Sequence, residues 1–212
     1  MGKNTENSLG SSLTNHEPAI FVDVDGTLWP DKGPGSIFHD IDLHALSSQL
    51  RGLCNAASIH RVFAVSNQTC VARGLCTLEQ LRERVFEIES HIQKSGVKFD
   101  FRYCIHHPEA TNIKYRIKCD CRKPSPQMVT EITQEFSIDL KQSIFIGDRI
   151  TDAQSASYAG IKHIFLISNE KMFEPNINPI NEKYTYKLVN FRVIPSIPFL
   201  TRYIQYYGER SF

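Results

Sequence analysis

Asp23 and Asp25 stand two residues apart in Ile20-Phe21-Val22-Asp23-Val24-Asp25-Gly26-Thr27-Leu28, where an apolar run leads straight into acid. Side chains alternate along a strand, so both carboxylates would share one side of an extended chain. A strand that ends near Asp23, followed by a turn that Gly26 permits, brings both to the mouth of a sheet. Two converging carboxylates suit a hard cation such as Mg²⁺ with a phosphate beside it. The alternative is an ordinary strand end decorated with solvated aspartates. Gly147-Asp148-Arg149-Ile150-Thr151-Asp152 supplies another carboxylate after an apolar strand. There Asp148 is placed to join Asp23 on the cation. Asp152 is either a further functional carboxylate or the N-cap of the next helix.

Phosphate-binding groups are also present. Ser66-Asn67-Gln68 closes an apolar run and either offers a hydroxyl and amides to a phosphate or forms a turn. Arg122-Lys123-Pro124 brings a bidentate fork and a point charge, both fitted to phosphate oxygens, or else a solvated basic pair. Just upstream lie Cys104-Ile105-His106-His107 and Cys119-Asp120-Cys121. Two close pairs of soft and borderline donors suit tetrahedral Zn²⁺. Cys104, His106, Cys119 and Cys121 would fill the coordination shell, so the site would be structural and pin a loop. His107 is a spare that could instead face a substrate. Cys54 falls by a leucine stripe and reads as core, while Cys70 and Cys76 receive no role.

The elements that must hold these groups alternate. Residues 19–24, 61–65, 97–103, 143–146 and 163–167 read as strands. Asp42 caps a helix carrying Leu43, Leu46, Leu50 and Leu53, and Thr77 opens a capping box with Gln80 for a helix that ends near Gly96. Ser125 as N-cap with Pro126 at the first helical position starts a third helix, and residues 152–159 form a fourth. Such alternation predicts an α/β fold with a mostly parallel sheet sandwiched by helices. Residues 29–35, with two Pro and two Gly, form a loop just past the carboxylates. Residues 170–195 read as loop with one strand near 186–189, and a short helix closes the chain at 197–207. Residues 1–17 read as a polar, mobile tail, and 18–212 as a single domain.

Composition narrows the partners. A formal net charge of +1 without a basic block argues against nucleic acid. No apolar run approaches the roughly 18 residues of a membrane span. No secretory signal is visible, so the expected compartment is the cytoplasm, with the six cysteines reduced.

In this order the motifs resemble the haloacid dehalogenase (HAD) superfamily of phosphotransferases. Asp23-Val24-Asp25-Gly26-Thr27 resembles its first motif, Ser66 its second, Lys123 its third, and Gly147-Asp148 through Asp152 its fourth. The Cys104-x-His106 and Cys119-x-Cys121-Arg122-Lys123-Pro124 loop, with Ser66-Asn67-Gln68 and Ala72-Arg73-Gly74, is similar to the heptose-bisphosphate phosphatase subgroup. Histidinol-phosphate phosphatase domains share that zinc loop. The resemblance implies a compact Rossmann-like fold without a large cap and a Mg²⁺-dependent phosphomonoesterase. It also implies Asp23 as nucleophile, Asp25 as general acid and base, and Mg²⁺ on Asp23, the Asp25 carbonyl and Asp148. Ser66 and Lys123 would bind the phosphoryl group, and Asn67, Arg73 and Arg122 the rest of the substrate. The expected partner is a small phosphorylated molecule, foremost a sugar bisphosphate, met by a monomer. A histidinol-phosphate phosphatase stands behind this reading, and an inactive zinc-stabilised binding protein behind both.

Overall fold

In the computed structural model, residues 16–167, 184–186 and 189–207 are described. Their centre is a seven-stranded sheet in the order β3-β2-β1-β4-β5-β7-β6. Its strands are β1 (Ile20–Val22), β2 (Arg61–Asn67), β3 (Lys98–Cys104), β4 (Ile144–Gly147), β5 (His163–Ile167), β6 (Tyr184–Tyr186) and β7 (Val189–Ile194). All neighbours run parallel except β6 and β7. Five helices alternate with them: α1 (Leu43–Ala57), α2 (Leu78–Gln93), α3 (Gln127–Phe136), α4 (Ile150–Ala159) and α5 (Ile197–Tyr207).

The strand alternation explains the layering. Ile20 and Val22 of β1, Val62 and Ala64 of β2, and Ile144 and Ile146 of β4 enter one apolar cluster with α1, α2 and α5. Phe21, Phe63 and Phe145, from the intervening positions, enter a second cluster with α3 and α4. Phe21 stacks between the other two rings, at centroid distances of 5.5 and 6.4 Å. The central strands are therefore buried on both faces, as a helix-covered parallel sheet requires. β1 lies between β2 and β4, so the ends of three strands open at one rim, where the crossover to either side leaves a crevice.

Most element expectations hold, with shifted edges. Asp42 and Thr77 cap α1 and α2, and the Thr77–Gln80 capping box is complete. Helix α3 starts at Gln127 with Pro126 as N-cap, although the Ser125 hydroxyl still accepts from Gln127 N–H at 3.3 Å. Helix α4 begins two residues earlier than expected, with Arg149 as N-cap, so Asp152 is inside its first turn and not its cap. β2 runs on through Ser66 and Asn67, which end the strand rather than follow it. The strand expected near 186–189 is instead two, β6 ending at Tyr186 and β7 starting at Val189, with Phe191 and Val193 buried on the α4 side. Residues 170–183 and 187–188 of the expected loop lie outside the described residues. Residues 1–15 of the expected tail lie outside the described residues, while the Glu17 carbonyl accepts from Asp139 N–H at 3.0 Å. Between β1 and α1 the chain holds only a 3₁₀ turn at Ser36–Phe38, and among the described residues there is no cap domain.

Candidate active site

Strand geometry places the acids. Asp23 N–H donates to the Ile146 carbonyl at 2.8 Å, so the chain keeps β-pairing one residue past β1 before it turns. The turn is tight: Thr27 and Leu28 N–H both donate to the Val24 carbonyl, at 3.2 and 2.8 Å. Gly26 sits at φ 92°, and a Cβ there would overlap the Asp148 carboxylate. Gly147 repeats the demand, since its Cβ would lie 2.5 Å from Asp152 Cβ. Gly26 lets the first acidic motif touch the fourth, and Gly147 lets the fourth fold back on its own Asp152.

Lys123 joins them. Its ammonium is buried, donates to Asp23 and to the Val65 carbonyl at 2.7 Å, and pairs with Asp152 at 2.7 Å. Burial lowers its basicity, but Asp152 and Asp23 more than compensate, so the lysine stays charged well above the neutral range. The other Asp152 oxygen accepts from the backbone N–H groups of Asp148 and Arg149, at 3.2 and 3.0 Å. Asp152 thus ties the lysine to the N-terminus of α4. Burial, then Asp152, holds the Asp23 carboxyl well above the usual carboxylate range against the opposing pull of Lys123. The same two causes push Asp148 up to about 6.

Asp23, Asp148 and Asp152 offer oxygens within 4.8 Å of one another. Asp148 Oδ1 is buried without a hydrogen-bond partner, an expensive condition for a carboxylate. An unpaired buried oxygen beside the Asp23 carboxylate fits a hard cation such as Mg²⁺. Both Asp152 oxygens are already engaged, which leaves Asp23 and Asp148 as its carboxylate ligands.

A pocket of about 540 Å³ opens above this floor. Its lining includes the buried Asp23, Ser66 and Lys123, the half-buried Asp25, Asn67 and Arg122, and the exposed Arg73. The sequence-predicted residues for phosphate and cation chemistry meet here, with Asp148 behind Asp23. One role differs. The Asn67 amide accepts from Lys123 N–H at 3.0 Å and donates to the Lys123 carbonyl at 3.2 Å, so it fastens the lysine segment to β2. Arg122 is less basic than usual, through burial and the nearness of Arg73 and Arg149. Three guanidinium groups therefore share the mouth. Arg149 reaches across it to Asp31 at 2.6 Å, linking the loop at 29–35 to the α4 N-terminus.

The thiol cluster lies where β3 ends. Cys104 Sγ is 3.4 Å from Cys119 Sγ and 2.8 Å from Cys121 Sγ, and His106 Nδ1 is 3.3 Å from Cys121 Sγ. All six cysteines are free thiols. Burial raises the Cys104 and Cys121 thiols. At Cys119 burial acts the same way, but hydrogen bonds from Cys121 and Cys104 outweigh it and favour the thiolate. Four donors of these types within 4.8 Å of one another fit tetrahedral zinc. His107 stands apart: its Nδ1 accepts from Glu109 N–H at 3.1 Å and closes a turn.

A family model described as HAD-hydrolase-like matches residues 120–177. The D-glycero-beta-D-manno-heptose-1,7-bisphosphate 7-phosphatase of Photorhabdus laumondii is 34% identical over 162 residues, 75% of this chain and 85% of that relative. The chain belongs to the HAD family of phosphatases. The enzyme of the same name from Yersinia pestis is 33% identical to this HAD phosphatase over 162 residues, again 75% of this chain and 85% of that one. The fold agrees with D,D-heptose 1,7-bisphosphate phosphatase from B. bronchiseptica, crystallised with magnesium and phosphate. Its TM-score is 0.66 at 21% identity, over 90% of this chain and 99% of that one.

Sequence reasoning gave no separate role to two residues lining this pocket, Asp31 and Arg149, or to two buried partners of Asp25, Trp29 and Gln68. Asp31 and Arg149 pair across 118 positions, a contact that no local pattern announces. Trp29 and Gln68 both reach Asp25, donating at 2.8 Å to Oδ1 and 2.9 Å to Oδ2. Gln68 carried a signal, as the third member of the polar trio. Trp29 carried only its position in the loop.

Proposed function

We propose that this HAD phosphatase is a Mg²⁺-dependent phosphomonoesterase working through an aspartyl-phosphate, with D-glycero-D-manno-heptose 1,7-bisphosphate, cleaved at the 7-phosphate, as its substrate. The supporting observation is the pocket's polarity along its depth: a carboxylate–lysine–carboxylate floor beneath a mouth shared by Arg73, Arg122 and Arg149. One phosphoryl group fits the floor, and the guanidinium groups suit a second anion of the same molecule.

In this reading an Asp23 oxygen attacks phosphorus as the bond from phosphorus to the sugar oxygen breaks. Asp25 gives its proton to the departing oxygen, then takes one from the water that cleaves the aspartyl-phosphate. Burial raises the Asp25 carboxyl, opposed by the Trp29 and Gln68 hydrogen bonds, which suits an acid that must carry a proton near neutrality. Lys123 and the Ser66 hydroxyl bind the phosphoryl oxygens from positions set by Asp152 and Gln68. Asp23 and Asp148, with the Asp25 carbonyl, would hold Mg²⁺, which would supply charge neutralisation at those oxygens. Cys104, His106, Cys119 and Cys121 would hold Zn²⁺ as a structural ion that fixes the segment carrying Arg122 and Lys123.

The test is phosphate release with Mg²⁺ from heptose 1,7-bisphosphate and from histidinol phosphate, with Asp23→Asn protein as blank. Preference for the heptose is the expected result. Preference for histidinol phosphate would replace the substrate, and activity in the blank would remove the nucleophile.

A further inference from the structure

We propose that Trp29 and Gln68 are positioning residues that clamp the Asp25 carboxyl so that its free edge, and hence its proton, points into the pocket. This rests on the reading of Asp25 as general acid and base.

The turn after β1 builds the first half of the clamp. Gly26 N–H donates to the Trp29 carbonyl at 2.8 Å, and Asp25 and Trp29 form a β-bridge, which folds the indole back beside Asp25. The indole is 7% exposed and packs in the apolar cluster beneath α1 and α2, so packing fixes its Nε1–H. That group donates to Asp25 Oδ1 at 2.8 Å. The second half comes from the residue that follows β2. Gln68 is 1% exposed, and its Nε2 donates at 2.9 Å both to Asp25 Oδ2 and to the Ser66 hydroxyl.

Both partners act on Asp25 only as donors: an indole N–H has no lone pair to offer, and the amide NH₂ likewise accepts nothing. Neither can receive the carboxyl proton. When Asp25 is protonated, its hydrogen must therefore lie on an edge the clamp leaves open, and Asp25 is one of the residues that line the pocket. Two anchors on separate elements also stop the carboxyl from rotating about its last torsion, a freedom broad for aspartate. In the first step the proton passes from Asp25 to the oxygen leaving phosphorus. In the second the same oxygen of Asp25 takes a proton from water, whose oxygen bonds to phosphorus as the aspartyl bond breaks. A carboxyl that turned aside between steps would lose both. Preorganisation of this kind is where a small displacement costs rate.

The leaving group separates positioning from plain structural support. β-Glycerol phosphate releases an alkoxide that needs a proton, whereas p-nitrophenyl phosphate releases a stable phenolate that does not. The quantity kcat/KM reports only the steps through phosphoryl transfer. Trp29→Phe keeps the ring and removes the donor, and Gln68→Met keeps the bulk and removes the amide. In each variant the ratio of kcat/KM for β-glycerol phosphate to that for p-nitrophenyl phosphate should fall about tenfold or more, part of the factor a general acid supplies. Loss of both activities in step, with the ratio unchanged, would make the two residues structural and overturn the inference. So would wild-type values for both substrates. Asp25→Asn is the control: if it leaves the ratio unchanged, the assignment of Asp25 fails. If it collapses the ratio while Trp29→Phe and Gln68→Met do not, the clamp alone fails.

Discussion

The carboxylate floor gathers three acids around one lysine and the thiol cluster gathers three cysteines and a histidine, and the two are held by different means. Asp23, Asp148 and Asp152 stand on the ends of β1 and β4 and the first turn of α4, with Lys123 between them. Sheet pairing and backbone N–H groups set their positions. Of the thiol donors only Cys104 belongs to a strand, and the segment joining it to α3 contains a single 3₁₀ turn, at Ile113–Tyr115. Ile113 and Ile117 there are exposed, and the loop's apolar burial comes down to Ala110 with the partly buried Ile105 and Tyr115. A site on strand ends draws its order from the core, whereas a site on a loop must be the source of its own order. The proposed chemistry, which tolerates little displacement, sits on the first, and the proposed zinc would serve the stability of the second.

Breaking the chemistry of the floor gives the largest effect. Asp23→Asn should lower kcat by about four orders of magnitude or more, with a thermal transition close to wild type. A variant that retains activity would remove the distinction between the two regions. Next comes the charge balance. Lys123→Met leaves Asp23 and Asp152 buried without their cation, which should cost about 3–5 kcal/mol by urea denaturation. The double variant Lys123→Met with Asp152→Asn should recover part of that loss. Cys119→Ser tests the loop: it should release zinc and lower stability by about 2 kcal/mol or more, read by metal analysis and denaturation together. Unchanged stability would mean that the loop keeps its shape by other contacts.

The smallest effect is a pH dependence confined to the floor. Folding raises the Asp148 carboxyl from 3.8 to about 6, so the folded chain holds that proton more tightly than the unfolded one. The resulting stability is complete below about pH 4 and is lost as pH rises through about 6. Mg²⁺ would bind the deprotonated form and compete with that proton. The rise in melting temperature on adding Mg²⁺ should therefore grow between about pH 5 and 7, measured by differential scanning fluorimetry.

How much was legible follows from the range of each signal. The alternation of strands and helices, the caps at Asp42 and Thr77, and the thiol spacing are local patterns that the chain repeats without reference to its fold. Strand β7 was partly hidden. Phe191 and Val193 alternate with Asn190 and Arg192, a true strand pattern, but the Asn- and Pro-rich residues before it dilute the composition of the window. Asp152 was ambiguous for a physical reason: at the start of a helix a carboxylate serves the backbone N–H groups either way, and only the arrival of Lys123 from another element adds its second task.

The chain by itself determined which chemistry each group could carry, because residue type, glycine placement and short-range spacing settle what Asp23, Asp25, Lys123, Asp148 and the Cys–His pairs are able to do. Only the tertiary structure decided how they are aimed. Trp29 and Gln68 reach opposite oxygens of Asp25, Asn67 grips the backbone of Lys123 from 56 positions away, and Arg149 crosses to Asp31. Apart from the near turn to Trp29, these contacts join distant parts of the chain, and sheet order sets their geometry. β1 between β2 and β4 brings the three strand ends to one rim, and no local pattern encodes that adjacency.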